Sequence, residues 1–293
     1  IARVVGEDRV SQRDSDRAAY SRDLWPRDLI GVREGVLPPG PEIIAWPGTT
    51  EEVSRLLALA KKRGLTVIPF GGGAGVCGAA RVVPPAEDGE AVAEGTLLLD
   101  LKRLRRIRRL DATQRIAEIE TGIIGEVMER ELVHRGFTLG HFPSSIYCST
   151  LGGFVAGRSA GQLSTKYGKI EDMVLGLELV LPDGEIVQLD DGMLSRGELS
   201  QLFVGAEGTL GVCTAATLRV HPVAETQILR AWSFKGVPAG TEAIRTLLQA
   251  ELRPAVVRLY DEFDTVLAMS GKSSSRPERE PATGLTALLS PKA

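Results

Sequence analysis

The spacing of apolar positions changes several times along the chain, and each change marks an element. Val53, Leu56, Leu57 and Ala60 recur at helical spacing behind Thr49-Thr-Glu-Glu, a start with acids in its first turn, and Gly64 closes that helix. Leu65-Thr-Val-Ile68 is apolar and β-branched and predicts a strand over Leu65–Phe70. Glu42–Trp46, Thr96–Asp100 and Arg115–Thr121 read as further strands, and Ile124–His134 as a helix stopped by Gly136. Together they make an α+β unit of short strands.

A second unit begins near residue 137. Met173–Leu181 predicts a strand, Pro182-Asp-Gly184 a hairpin turn, and Glu185–Leu189 the antiparallel return. Leu199–Val204 reads as a short helix and Gly211–Val220 as a strand. A strand over Thr226–Phe234, a helix over Glu242–Glu251 and a strand over Ala255–Tyr260 follow. The first forty residues are polar, helical at best, and stopped by Pro38-Pro-Gly-Pro41. From Ser270 onward serine, proline and charge dominate, which predicts a loop or disordered tail. The chain thus divides into residues 1–41, 42–136, 137–225 and 226–293.

With 293 residues the chain suits one large domain or two small ones, and 43% hydrophobic residues suffice for a real core. A net charge of −3 disfavours a nucleic-acid partner. The run Lys102–Arg109 is basic, but Leu101, Leu104, Ile107 and Leu110 recur within it. It is expected to bury one edge and solvate its basic face. Three widely spaced cysteines, Cys77, Cys148 and Cys213, form no metal or disulfide pattern and fit a reducing compartment. No metal site is expected. No run reaches the roughly 18 apolar residues of a membrane span, and no signal peptide opens the sequence. The chain begins at Ile1, not Met, as a fragment or processed form would.

The chemistry starts after the Leu65–Phe70 strand, in Pro69-Phe-Gly-Gly-Gly-Ala-Gly-Val-Cys-Gly-Ala79. Glycine tolerates positive φ and has no Cβ, so such a loop can turn backbone N–H groups toward an anion. Gly73-Ala-Gly75-Val-Cys-Gly78 spells G-x-G-x-x-G, but the dinucleotide fingerprint needs a helix to begin inside it. Here Pro84, Pro85 and Asp88-Gly89 follow and break any helix. A glycine-rich surface loop without a ligand is the other plain reading.

Two more small-residue stretches follow. Gly140–Gly161 carries Ser144, Ser145, Ser149 and Thr150, hydroxyls that suit phosphate or ring carbonyl oxygens, then Gly152 and Gly153, which let a helix start against a flat ligand. Arg158, between Gly157 and Ser159, is either a phosphate partner or a surface arginine. Ala206-Glu-Gly-Thr-Leu-Gly-Val-Cys-Thr214 gives a third turn before a strand.

The P-x-G-G-G-x-x-V loop, Ser149-Thr-Leu-Gly-Gly153 and Glu207-Gly-Thr-Leu-Gly-Val212 together resemble the vanillyl-alcohol-oxidase family with the PCMH-type FAD-binding domain, over about residues 40–225. Within it, Ser149–Gly161, Tyr167-Gly-Lys-Ile-Glu-Asp172 and Pro254-Ala-Val-Val-Arg-Leu-Tyr-Asp261 are most similar to the alkyldihydroxyacetonephosphate synthases. The resemblance implies an α+β fold of two FAD-clasping subdomains, followed by the truncated start of a substrate (cap) domain. It implies non-covalent FAD, since Ala74 stands where some relatives carry a tethering histidine. Pro69, Gly71, Gly72, Gly73, Ala74, Gly75 and Val76 would hold the pyrophosphate. Ser144, Ser145, Ser149, Thr150, Gly152, Gly153, Gly157, Arg158 and Ser159 would line the isoalloxazine and ribityl side. Glu207, Gly208, Gly211 and Val212 would lie near the adenine and ribose.

The implied reaction exchanges the acyl group of acyl-dihydroxyacetone phosphate for a fatty alcohol's alkoxy group. An FAD-linked D-2-hydroxy-acid dehydrogenase or oxidase is the alternative, and an inactive FAD-binding fragment the third reading. A lipid substrate implies peripheral membrane contact, a cytoplasmic or, in a eukaryote, peroxisomal setting, and, as in relatives, a homodimer. Arg258 suits a substrate phosphate or carboxylate, or is an outward strand arginine. Cys148 stands where some relatives link flavin, or is a small buried thiol; Cys77 and Cys213 read as packing residues. Of the three histidines, His134 suits a helix end, His221 a strand end, and His141 lies nearest the flavin stretch. The acid/base residues of the synthases lie in the cap, so no catalytic residue is assigned.

Overall fold

In the computed structural model, which describes residues 1–82, 95–189 and 198–270, two sheets carry the fold. Strands β1 (Val10–Ser11), β2 (Ile43–Ala45), β3 (Leu65–Phe70) and β4 (Gly95–Asp100) form the first, in the order β1–β2–β4–β3. Its three inner pairings are two parallel ones, β2 and β3 on β4, and an antiparallel edge from β1. Next come β5 (Ile107–Asp111), β6 (Ile116–Glu120), β7 (Phe137–Thr138), β8 (Val174–Val180), β9 (Ile186–Leu189), β10 (Val212–Arg219) and β11 (His221–Pro222). Five of them make an antiparallel sheet, β5–β6–β10–β8–β9, and β7 pairs with β11.

The helix Thr50–Lys62 forms as its sequence requires. Thr49 accepts the Glu52 N–H at 3.1 Å, Glu51 and Glu52 occupy the first turn, and Lys61 and Lys62 the last. Val53, Leu56, Leu57 and Ala60 are all buried against Ala45, Leu97 and Leu99 of the first sheet. Each larger apolar side chain buried there contributes about 1.5–3 kcal/mol. Val180 and Val212 of the second sheet close the same core, so this helix spans the seam between the sheets. A polar cluster lies on that seam. Glu178 on β8 accepts from Thr50 Oγ1 at 2.7 Å, Thr214 Oγ1 at 2.7 Å and Arg108 Nη2 at 3.0 Å. Burial alone would raise this carboxyl, but the bonds from Arg108, Thr50 and Thr214 outweigh it and pull it down to about 2.

Several expectations are corrected. Lys102–Arg109 is a turn followed by β5; it buries Leu104 and exposes Arg103, Arg105, Arg106 and Arg109 as expected, but Arg108 is drawn into the cluster by Glu178, Glu118 and Glu120. The sheets do not part at residue 137, because β6 pairs with β10 and brings β5 with it. Residues 226–234 and 255–260 are not strands: no described strand lies beside them, and an extended segment without a ladder is not a strand. The helix between them runs Val237–Gln249, starting earlier than expected because Gly236 and Pro238 open it. In the first forty residues the short helices Ala2–Val5, Asp14–Ala19 and Pro26–Arg33 are joined by β1, an edge strand the polar composition concealed. Of the expected tail, only Ser270 is described, at the end of the helix Glu262–Ser270, and residues 271–293 lie outside the described residues.

Glu129 is buried in the core of the antiparallel sheet, where Thr138 Oγ1 donates to it and the Leu139 N–H donates at 3.1 Å. Burial outweighs these bonds and pushes its carboxyl from 4.5 up to about 7. A raised carboxyl stabilises the fold while it is protonated, so its contribution is full below pH 4.5 and declines as pH rises to about 7. In urea unfolding across that range, the stability of the native chain relative to Glu129→Gln should fall with rising pH. A constant difference would show that the Glu129 carboxyl is not raised by burial.

Candidate functional site

The glycine loop leaves β3 at Phe70 and runs through bends and turns, with no helix among residues 71–82. The helix that a nicotinamide fingerprint requires is therefore missing from residues 71–82; the proline and Asp-Gly breakers lie outside the described residues. None of the N–H groups of residues 72–77 donates to an acceptor among the described residues, whereas the Gly78 N–H is taken by Asp23 Oδ2 at 3.0 Å. Gly73 sits at φ +61°, which only glycine adopts without strain. Six successive donors without an acceptor among the described residues, on a glycine-rich loop, fit a diphosphate.

The second stretch lies directly against this loop. A Cβ on Gly71 would fall 2.3 Å from Thr150 Oγ1, and one on Gly72 only 1.8 Å from the Cys148 carbonyl oxygen. Thr150 caps the helix Leu151–Ala156 by accepting the Gly153 N–H at 3.1 Å. Gly152 packs on Thr121, where a Cβ would come within 3.0 Å. That helix in turn carries the third stretch: Val155 accepts the Gly205 N–H at 2.9 Å and Ala156 the Glu207 N–H at 3.2 Å. Glu207 is held at φ +49°, a conformation that a non-glycine residue adopts only where its surroundings impose it. A Cβ on Gly208 would meet the Pro69 ring at 2.8 Å, so the third loop closes on the end of β3.

The three stretches enclose one cleft of about 350 Å³. Pro69, residues 71–76, Ser145, Ser149, Thr150, Gly152, Gly153, Gly157, Ser159, Glu207, Gly208 and Gly211 line it. Four expected residues do not. Ser144 points to solvent, and Val212 is buried in the seam core because strand alternation turns it away. Arg158 is ion-paired to Glu171 at 3.4 Å outside the lining. Arg258 is exposed and donates to Tyr260 at 3.2 Å. The lining adds Asp23, Phe70, Thr121, Phe203 and Cys213. Thr121 and Cys213 share a hydrogen bond, Thr121 Oγ1 to the Cys213 carbonyl at 2.6 Å, that links β6 to β10 beneath the cleft. Phe70 and Cys213 lie inside the first and third small-residue stretches, whereas no motif marks Asp23, Thr121 or Phe203.

Cys148 and Cys77 are both exposed, contrary to buried thiols, and Cys77 lines the cleft. His141 is buried, stands edge-on to Phe154, and its Nε2 lies 2.7 Å from the hydroxyl of Ser159, a lining residue. Desolvation outweighs the Glu171 charge and lowers its imidazole to about 4, so it is neutral at physiological pH. It orders the wall of the cleft without carrying charge. Among the described residues no cluster of three metal-ligating side chains occurs, and no helix is long and apolar enough to cross a membrane.

A family model described as an FAD binding domain matches residues 41–190. The chain belongs to that family. Alkyldihydroxyacetonephosphate synthases from Dictyostelium discoideum and Trypanosoma brucei brucei are 35% and 33% identical over 85% of the chain. The glycolate oxidase subunit GlcD from Bacillus subtilis is 29% identical over 89% of it. A solved alkyldihydroxyacetonephosphate synthase superposes with a TM-score of 0.78 at 32% identity, over 90% of this chain and 47% of that one. The chain spans about 40% of the length of the synthases it matches. The cofactor of this family is FAD, and the cleft of this FAD-binding chain fits it on its own observations: free backbone donors at one end and a wall of small and hydroxyl residues alongside.

Because the Cys148 carbonyl leaves no room for a Cβ, Gly72→Ala should force the loop and wall apart. FAD affinity, read by flavin fluorescence, should weaken by at least about tenfold; unchanged affinity would refute this placement. In a proton NMR titration of the histidine rings, His141 should show a midpoint near 4. A midpoint at or above 6.5 would mean that the ring is hydrated, not buried.

Proposed function

We propose that this chain is the FAD-binding part of an alkyldihydroxyacetonephosphate synthase-like enzyme, which exchanges the acyl group of acyl-dihydroxyacetone phosphate for an alkoxy group. The observation that carries this reading is the joint likeness in sequence and fold to synthases over at least 85% of the chain. Bound FAD would supply the electron-accepting ring at which the exchange takes place. The protein's share is to hold and orient it. Residues 71–76 offer their amides to the diphosphate, the Ser149–Thr150 wall and Ser159 flank the ring side, and Glu207–Gly211 lie at the other end of the cleft. The cofactor is held without a covalent tether, with Ala74 in the loop. Arg258, exposed beyond the cleft, is proposed to meet the substrate phosphate, and a lipid substrate would bring the protein to a membrane surface.

The 29% likeness to glycolate oxidase subunit GlcD supports a second reading, oxidation of a D-2-hydroxy acid. The two differ in electron flow. Under anaerobic conditions, glycolate or D-lactate should leave the flavin colour of the FAD-loaded chain unchanged; exchange of the acyl group for labelled hexadecanol, with release of the fatty acid, is proposed for the enzyme that also carries the cap. Bleaching by either acid would overturn the synthase reading in favour of the second.

A further inference from the structure

The glycine loop is held from outside its own sequence. Its entrance is tied by Lys102, whose Nζ donates to the Gly71 carbonyl at 2.9 Å and pairs with Asp100 at 2.7 Å. Asp100 also accepts from the Tyr20 hydroxyl at 2.5 Å. Its exit is tied by residues directly after Tyr20. The Leu24 N–H donates to the Gly75 carbonyl at 2.8 Å, and Asp23 accepts the Gly78 N–H on one carboxylate oxygen and the Trp25 N–H on the other, at 3.0 and 2.9 Å. Asp23 is 2% exposed and forms no ion pair among the described residues. A buried carboxylate without a cation is retained only if its oxygens are otherwise satisfied, and here two backbone amides do that. Trp25 lies under Gly78, where a Cβ would come within 3.1 Å of its ring.

We propose that Tyr20–Trp25 is a clasp that pre-sets the glycine loop for the FAD diphosphate, with Asp23 as its positioning residue. The inference rests on the FAD reading and extends it to a segment that lies before the family match at residues 41–190. The physical reason is entropy. Five glycines in eight residues make a loop that loses much freedom on ordering. Ordering it before the ligand arrives removes that loss from binding. Asp23 consumes the amide of Gly78 and leaves those of residues 72–77 for the ligand. Its charge faces a site for an anion, and the clasp outweighs that repulsion because both oxygens are already bonded to N–H groups.

The test uses the whole chain, FAD titrated by fluorescence quenching, and urea unfolding of the FAD-free protein. Asp23→Asn keeps shape and removes charge, and it sets an amide N–H against that of Gly78. FAD affinity should drop about tenfold, the scale expected for a lost hydrogen bond to a charged group, with the stability of the FAD-free chain unchanged. Asp23→Ala should lose at least as much. Native-level or tighter FAD binding in both variants would overturn the proposal, as would parallel loss of stability in both, which would make Asp23 a purely structural residue. Failure of the native chain to bind FAD would instead sink the family reading itself.

Discussion

One backbone contact governs the architecture of the cleft. Gly71 and Gly72 approach Cys148 and Thr150 so closely that neither position has room for a single methyl group. The contact joins the end of a strand in the first sheet to the segment that opens the helix Leu151–Ala156. Without it the loop and the hydroxyl wall would be separate surfaces. With it they are two sides of a single cavity, and the third stretch closes that cavity by seating Gly208 on Pro69. Glycine serves two purposes here. At Gly73 it supplies a positive φ, and at Gly71 and Gly72 it supplies absence of volume.

The cleft relies on dipoles rather than side-chain charge. The arginine in the second stretch is taken by Glu171, and Lys102, at the entrance of the loop, donates to a loop carbonyl and to Asp100. What remains for an anion is a run of main-chain amides, fixed in direction and needing no reorganisation on binding. Formal charge is concentrated at the seam instead, where Glu178 gathers Arg108, Thr50 and Thr214 from different elements. This half-buried cluster ties three strands of the second sheet to the first turn of the helix Thr50–Lys62, whose apolar face packs on the first sheet. The seam keeps the sheets aligned, and their alignment keeps loop against wall.

Beyond β11 the character changes. Ile228, Leu229, Trp232, Phe263 and Val266 are each more than 60% exposed, and the segments around them find no ladder among the described residues. This part of the chain builds little core of its own, in keeping with a chain that spans about 40% of the synthases it resembles.

The sequence by itself determined the local elements wherever period and punctuation agreed. The helix Thr50–Lys62 has a capping threonine, an apolar stripe and a terminal glycine, and it lies where they predict; the hairpin at Pro182–Gly184 is equally local. It also marked the three small-residue stretches, because a loop that must approach a ligand or another backbone has to shed its side chains. Tertiary structure alone decided what those stretches touch. Val212 and Arg158 belong to the right segments but face a core and an ion partner, Thr121 and Asp23 carry no motif yet line the cleft, and Thr226–Phe234 has strand composition without a strand beside it. Propensity acts over a few neighbouring residues, whereas direction, pairing and exclusion of volume depend on atoms brought together from distant parts of the chain.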